Sequence, residues 1–311
     1  MRVVISADME GISQLVDPHE ILAFARPYWA TGRARMAADV AAAAHGLLSA
    51  GADEVVVLDN HASGNPENIP AGALPDGARL ETWNVFDLKE HGVDAMLQVG
   101  YHARSGVPAF VSHTYVPGLR LRVDGELISE SHGRAWAAGV PLLGIVGNDA
   151  HERTLGSLGG VPYLAVQRTS SVRHVTPVFE QEAAADAIAT FASDALGLGG
   201  TIPAVPSGLL FEASLVAGDE QVGALATAGW RQESSTEFAV DLASWDDARE
   251  PLAAAMGAAM APWLLYFTAF ELTSQAAAEV VHDEPIVRDA LERIDVWLDE
   301  PQPEWLTPVP A

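Results

Sequence analysis

Residues 32–61 read GRARMAADVAAAAHGLLSAGADEVVVLDNH, and two periodicities meet inside them. Up to Ala50 the stretch is dense in alanine and free of proline, which favours a helix over residues 32–50. It closes on Ser-Ala-Gly, where Gly51 can take the left-handed conformation that ends a helix. Glu54 to Leu58 then forms a short continuous apolar run, the pattern of a strand covered on both faces. A helix handing directly to a buried strand is half of a βαβ unit. Its first strand lies upstream at Val3 to Ser6.

Working outward, Ala95 to Val99 and Leu142 to Val146 repeat the buried-strand pattern, with helical stretches between. The alternation predicts an α/β fold with a mostly parallel sheet flanked by helices. From about Ser170 the texture changes. A helix is expected over residues 179–196, strands at Leu209 to Leu215 and Glu237 to Leu242, then a helix with Ser244 as N-cap and Asp246 and Asp247 in its first turn. These make a second, smaller α/β lobe. Prolines and glycines between Asn65 and Ala78 mark a loop.

The 311 residues, 49% of them hydrophobic, supply a sizeable core. Seventeen basic against 42 acidic residues leave a formal charge of −25, which repels nucleic-acid phosphates and anionic lipid headgroups, so neither is an expected partner. No cysteine is present, so any metal must be held by imidazole and carboxylate. The N-terminus reaches Asp8 before an apolar signal core can form, and the cytoplasm is the expected compartment. No apolar run reaches the roughly 20 residues that span a bilayer; the nearest, Ala258 to Phe270, is interrupted by Pro262.

Asp8-Met9-Glu10 follows directly on the first strand, and extended backbone sends residues i and i+2 to the same side. Two carboxylates that close repel unless a cation lies between them. Leu58-Asp59-Asn60-His61 and Val99-Gly100-Tyr101-His102 each run a strand into a histidine. Sites in open α/β sheets form beyond the carboxyl ends of the strands, so three such exits point to one crevice. His113, in the strand-like run from Ala109 to Ser112 and beyond, follows His102 by one short loop. Glu130 precedes a small-residue helix over residues 133–139, where a carboxylate serves equally as ligand or as a cap complementing the helix dipole.

With these segments together the chain resembles the DppA-type D-aminopeptidases, a family of zinc metallopeptidases. The matching pieces are Ser-Ala-Asp-Met-Glu-Gly-Ile at the start, Asp-Asn-His at 59–61, Gly-Tyr-His-Ala-Arg at 100–104, Ser-His at 112–113, Glu130 with the small residues to Gly139, and Gly-Asn-Asp at 147–149. The resemblance holds over about residues 1–175, more loosely to about 270. It implies that Asp8, Glu10, His61, His102 and Glu130 ligate a pair of zinc ions and that His113 is the catalytic histidine; two such ions would be bridged by a carboxylate such as Asp8. It also implies a ring-like homo-oligomer. Two departures stand out: Asn148 where the family usually shows aspartate, and Ser131-His132 where small and apolar residues are expected. Neither removes a ligand.

The expected function is therefore a zinc-dependent aminopeptidase acting on short peptides, D-amino-acid-containing ones included. A dinuclear amidase or phosphoesterase uses the same ligand types, but a phosphoesterase wants further cations and the site region offers chiefly Arg104. A non-catalytic metal-binding protein is the reading from another class. Asp149 is read first as a loop residue and second as a contact for the substrate amine. His19, His45, His91, His132, His151, His174 and His282 receive no role. In this scheme residues 1–170 form the α/β metal-binding catalytic domain, 171–275 the second lobe, and 276–311 a C-terminal helix with a Pro-rich tail.

Overall fold

Strand β1 (Arg2–Ala7) pairs in parallel with both β2 (Glu54–Asp59) and β4 (Ala95–Tyr101), so the chain starts in the middle of its main sheet. The structure is a computed structural model that describes residues 1–261 and 285–299, apart from 24, 65, 66, 159, 207 and 216. Among these, seven strands form the main sheet in the order β3-β2-β1-β4-β7-β8-β9, with β3 at Ala78–Glu81, β7 at Leu142–Asn148, β8 at Tyr163–Thr169 and β9 at Val175–Pro177. Every pairing is parallel except that of β8 with β9. The order runs one way from β1 to β3 and the other way from β4 onward. The point of reversal lies between β1 and β4, and crevices open beyond the carboxyl ends of strands at such a point.

Alternation along the strands separates two cores. Val3, Ile5, Val55, Val57, Leu97 and Val99 face helices α1 (Arg26–Ser49) and α4 (Gln181–Leu198), packing with Met36, Val40, Leu47 and Ile188. Val4, Val56, Met96 and Ile145 face the other way, onto Ala135 and Trp136 of α2 (Glu130–Ala138). Cover on both faces is why the strands read as unbroken apolar runs. Helix α1 begins before residue 32, because Pro27 falls in the first turn, where a missing N–H costs nothing.

The second core continues into an antiparallel sheet of order β11-β12-β10-β5-β6. Its strands are β5 (Arg120–Val123), β6 (Glu126–Leu127), β10 (Leu209–Ser214), β11 (Arg231–Gln232) and β12 (Glu237–Leu242). Phe211 and Phe238 of this sheet pack with Leu225 of α5 (Asp219–Thr227) and Leu252 of α6 (Arg249–Met260). Two of its strands come from residues 120–127, and α4 packs on α1, so the two layers interleave along the chain.

Residues 109–112 are not a strand. Val111 has φ 46° and Tyr115 φ 60°, outside the extended region. The segment is tied to other loops instead: Phe110 N donates to Thr169 Oγ1 at 2.7 Å and Val111 N to the Val172 carbonyl at 3.0 Å. Helix α2 starts at Glu130, three residues earlier than its small-residue run. Ser129 caps it, and His132 Nδ1 accepts from the Ser129 N–H at 3.2 Å. Helix α3 (Asp149–Glu152) is one turn, capped by Asn148 accepting from His151 N at 2.9 Å. Helix α7 (Pro285–Asp299) supplies the C-terminal helix, while the Pro-rich end lies outside the described residues. Among the described residues no helix is long and apolar enough to cross a membrane. Most of the run Ala258 to Phe270 lies outside them.

Candidate metal centre

At the end of β1 the backbone is held by its neighbour: Asp8 N donates to the Val99 carbonyl at 2.8 Å, and Gly11 N to the Gly100 carbonyl at 2.7 Å. Gly100 sits at φ 84°, and a Cβ there would strike the Asp8 carbonyl oxygen. The close approach of these two strand exits therefore needs a glycine. It brings Asp8 and Glu10 against His102. On the other side the Asn60 N–H donates to the Ala7 carbonyl at 2.9 Å, which delivers His61. The loop after His61 is ordered by Asn68, which donates its backbone N–H to Asp59 at 2.8 Å and its side-chain amide to the His61 carbonyl at 2.8 Å.

All six residues singled out from the sequence converge, and all are buried: Asp8, Glu10, His61, His102, His113 and Glu130. Their donor atoms fall into three overlapping groups, each within 4.8 Å: Asp8 with Glu10 and His61, Asp8 with His102 and Glu130, and Glu10 with His102 and His113. His102 and His113 stack with ring centres 4.1 Å apart. His113 thus belongs to one of the three donor groups, next to the five candidate ligands.

Each of the three histidines commits one ring nitrogen to a backbone carbonyl and turns the other toward the cluster. His61 Nε2 donates to the Ile21 carbonyl at 2.8 Å, His102 Nδ1 to the Ala103 carbonyl at 3.0 Å, and His113 Nδ1 to the Val111 carbonyl at 2.8 Å. A neutral ring held this way turns a lone pair inward. His61 Nδ1 lies 3.2 Å from Glu10 Oε2 and 3.4 Å from Asp8 Oδ1, His102 Nε2 3.4 Å from Asp8 Oδ2, and His113 Nε2 3.8 Å from Glu10 Oε1. A lone pair aimed at a carboxylate is repulsive unless a proton or a cation lies between them. His102 Nε2 is buried without a hydrogen-bond partner. Mixed imidazole and carboxylate donors around such an orphaned nitrogen fit a divalent first-row metal.

The charge balance of the metal-free cluster says the same. Burial alone would raise the Asp8 carboxyl, but the His102 and His61 rings beside it hold it well below the usual carboxylate range. Burial would lower His61 and His102; the carboxylates Asp8 and Glu10 instead push His61 well above the ordinary range and His102 up to about 9. His113 goes the other way, lowered by burial and by the neighbouring His102 charge.

Asp149 is engaged elsewhere, accepting from Thr169 N at 2.8 Å and pairing with Arg153 at 3.4 Å. His132 and His151 are buried within hydrogen-bonded structure, His151 Nε2 lying 2.8 Å from Ser131 Oγ. A participant the sequence reading missed is Arg134, whose Nε donates to Glu130 Oε1 at 2.7 Å and whose Nη1 donates to Asn60 Oδ1 at 2.8 Å. The i,i+4 spacing from Glu130 was visible; the contact with Asn60, 74 residues away, was not.

Comparison with known proteins gives three matches. The family model described as D-aminopeptidase matches residues 1–209. A D-aminopeptidase of Bacillus subtilis (strain 168) is 31% identical over 191 residues, which cover 57% of this chain and 68% of the relative. The fold is similar to that of a solved structure described as the zinc-dependent D-aminopeptidase DppA from Bacillus subtilis, a self-compartmentalizing protease. That match has a TM-score of 0.75 at 22% identity and covers 84% of this chain and 98% of the other.

Proposed function

Because the chain belongs to the D-aminopeptidase family, we propose that Asp8, Glu10, His61, His102 and Glu130 hold two zinc ions and that the enzyme removes N-terminal residues from short peptides, those beginning with a D-amino acid included. The observation that carries this reading is the set of three histidine rings tied by one nitrogen to a backbone carbonyl and turning the other toward buried carboxylates, with His102 Nε2 left unpartnered. Zinc, when bound, lowers the pKa of water and polarises a carbonyl. The protein supplies the rest. The carbonyls of Ile21 and Ala103 fix the tautomers of His61 and His102, so that each presents an unprotonated nitrogen. Asp8 belongs to two of the donor groups, with Glu10 and His61 in one and with His102 and Glu130 in the other, and would help to hold both ions. Burial of the whole set excludes bulk water and strengthens each charge interaction.

His113 is held neutral with Nε2 facing the cluster, which favours proton transfer over service as a cationic oxyanion holder. The solved neighbour's description as self-compartmentalizing supports a homo-oligomer, with a ring as the finer reading. Metal analysis of the purified chain should find close to two zinc equivalents, and D-alanyl dipeptides should be hydrolysed alongside or ahead of L-alanyl ones. Apparent zinc affinity should rise with pH toward about 9, because the proton on His102 competes with the metal below that value. Less than half an equivalent after zinc loading sinks the dinuclear site, and zinc-loaded protein inert on both dipeptides sinks the peptidase reading.

A further inference from the structure

Helix α2 is buried along its whole length, and even Arg134, its least buried residue, has a side chain only 14% exposed. Removing a guanidinium from water costs several kcal/mol unless its partners are well placed. Here they are the candidate ligand Glu130, one turn earlier, and Asn60, the residue before His61. Asn60 in turn donates from Nδ2 to Ser6 Oγ at 2.7 Å, and Ser6 Oγ shares a 2.6 Å hydrogen bond with Tyr101 OH. Ser6 lies in β1 two residues before Asp8, and Tyr101 immediately precedes His102. The guanidinium carbon also lies 5.7 Å from the ring centre of Tyr115, two residues past His113. Directly or through Asn60 and Ser6, Arg134 is thus linked to every segment that carries a proposed zinc ligand, and to the His113 segment as well.

Its direct contact is with Glu130 alone among the proposed ligands. Asp8, Glu10 and His102 each take part in two donor groups, while Glu130 takes part in one, with Asp8 and His102. We propose that Arg134 is a positioning residue for metal binding: by holding one Glu130 oxygen and anchoring to Asn60, it orients the carboxylate and sets the occupancy of the Asp8–His102–Glu130 position specifically. The inference rests on the two-zinc reading above. Carboxylates that ligate metals lose affinity when the groups orienting them are removed, commonly by 10- to 100-fold.

Calorimetric titration of the metal-free, full-length chain with zinc reads the two equivalents separately. Arg134→Met keeps the apolar stem and removes both charge and fork. It should weaken one equivalent roughly 10- to 100-fold and leave the other as in the unmodified protein. Arg134→Lys keeps the charge but cannot span two acceptors with fixed geometry, so it should restore only part of the loss. Asn60→Ala, which spares the ion pair, should weaken the same equivalent by a smaller factor. Cobalt(II) absorption, taken at one and two equivalents, should change only in the spectrum of the weakened position. Unchanged binding of both equivalents in Arg134→Met overturns the proposal, and so does loss of both by the same factor, the signature of a general loosening. Should Arg134→Met fail to fold, Asn60→Ala is judged by the same two criteria. An unmodified protein that binds fewer than two equivalents overturns the two-zinc reading first, and this inference with it.

Discussion

His113 shows how a residue's neighbours separate roles that its type leaves open. Its Nδ1–H is committed to the Val111 carbonyl, its ring stacks on His102, and burial beside that charged ring keeps it neutral. Nε2 is 3.8 Å from Glu10, whereas His102 is held 3.4 Å from Asp8 and belongs to two donor groups. His113→Ala is therefore expected to keep its zinc and lose ~10²- to 10⁴-fold in dipeptide turnover, while His102→Ala should lose both zinc and turnover. Metal analysis and kinetics on the pair decide it. Zinc loss in His113→Ala matching that of His102→Ala would make His113 a ligand, and full activity would make it structural. The sequence revealed these residues because each stands at a strand exit or one short loop from it, a local property. Arg134 and Asn60 were hidden because their meeting depends on how α2 lies across the end of β2, which no local spacing encodes.

At the scale of elements, the strands were legible where both faces are covered and the side-chain pattern is continuous, as in β1, β2, β4 and β7. Residues 109–115 misled because Ala-Phe-Val-Ser is a strand-like composition, and only tertiary contacts to Val172 and Thr169 impose the positive φ of Val111. The pairing of β5 with β10 was likewise out of sight, since it joins residues 120–123 to 211–214 and no periodicity reports partners that far apart. What unites the elements at the site is the crossing of the β1 and β4 exits at Gly100. Alanine there meets both a disfavoured φ and the rigid Asp8 carbonyl, which lies in backbone and cannot swing aside. Gly100→Ala is expected to lower stability by roughly 4 kcal/mol or more and to displace Asp8 from His102, so that surviving folded protein binds less zinc. A melting temperature within a degree or two of the unmodified protein, with full zinc content, would show that the exits can part without consequence.

For the molecule as a whole, surface and charge pull in opposite directions. The mean hydropathy is +0.14, high for a chain that must cover its own apolar surface, and Leu198 and Ile202 stand 73% and 61% exposed at the end of α4 and just beyond it. Large apolar side chains left that open suit burial against a second copy. Against this stands a charge of −25 on each chain, which makes like copies repel. At about 0.15 M salt the screening length is ~8 Å, so repulsion is confined to charges near the contact and apolar burial can prevail; at 0.01 M it reaches ~30 Å and the whole field acts. Light scattering should accordingly give a mass several times 32.8 kDa at moderate salt and a smaller one at low salt. Replacing Leu198 and Ile202 together by serine should shift the moderate-salt species toward the smaller mass while leaving zinc content unchanged, since neither residue belongs to the candidate donor groups. A monomer at moderate salt across a tenfold concentration range would end the case for assembly. An oligomer indifferent to the double substitution would move the interface away from the end of α4.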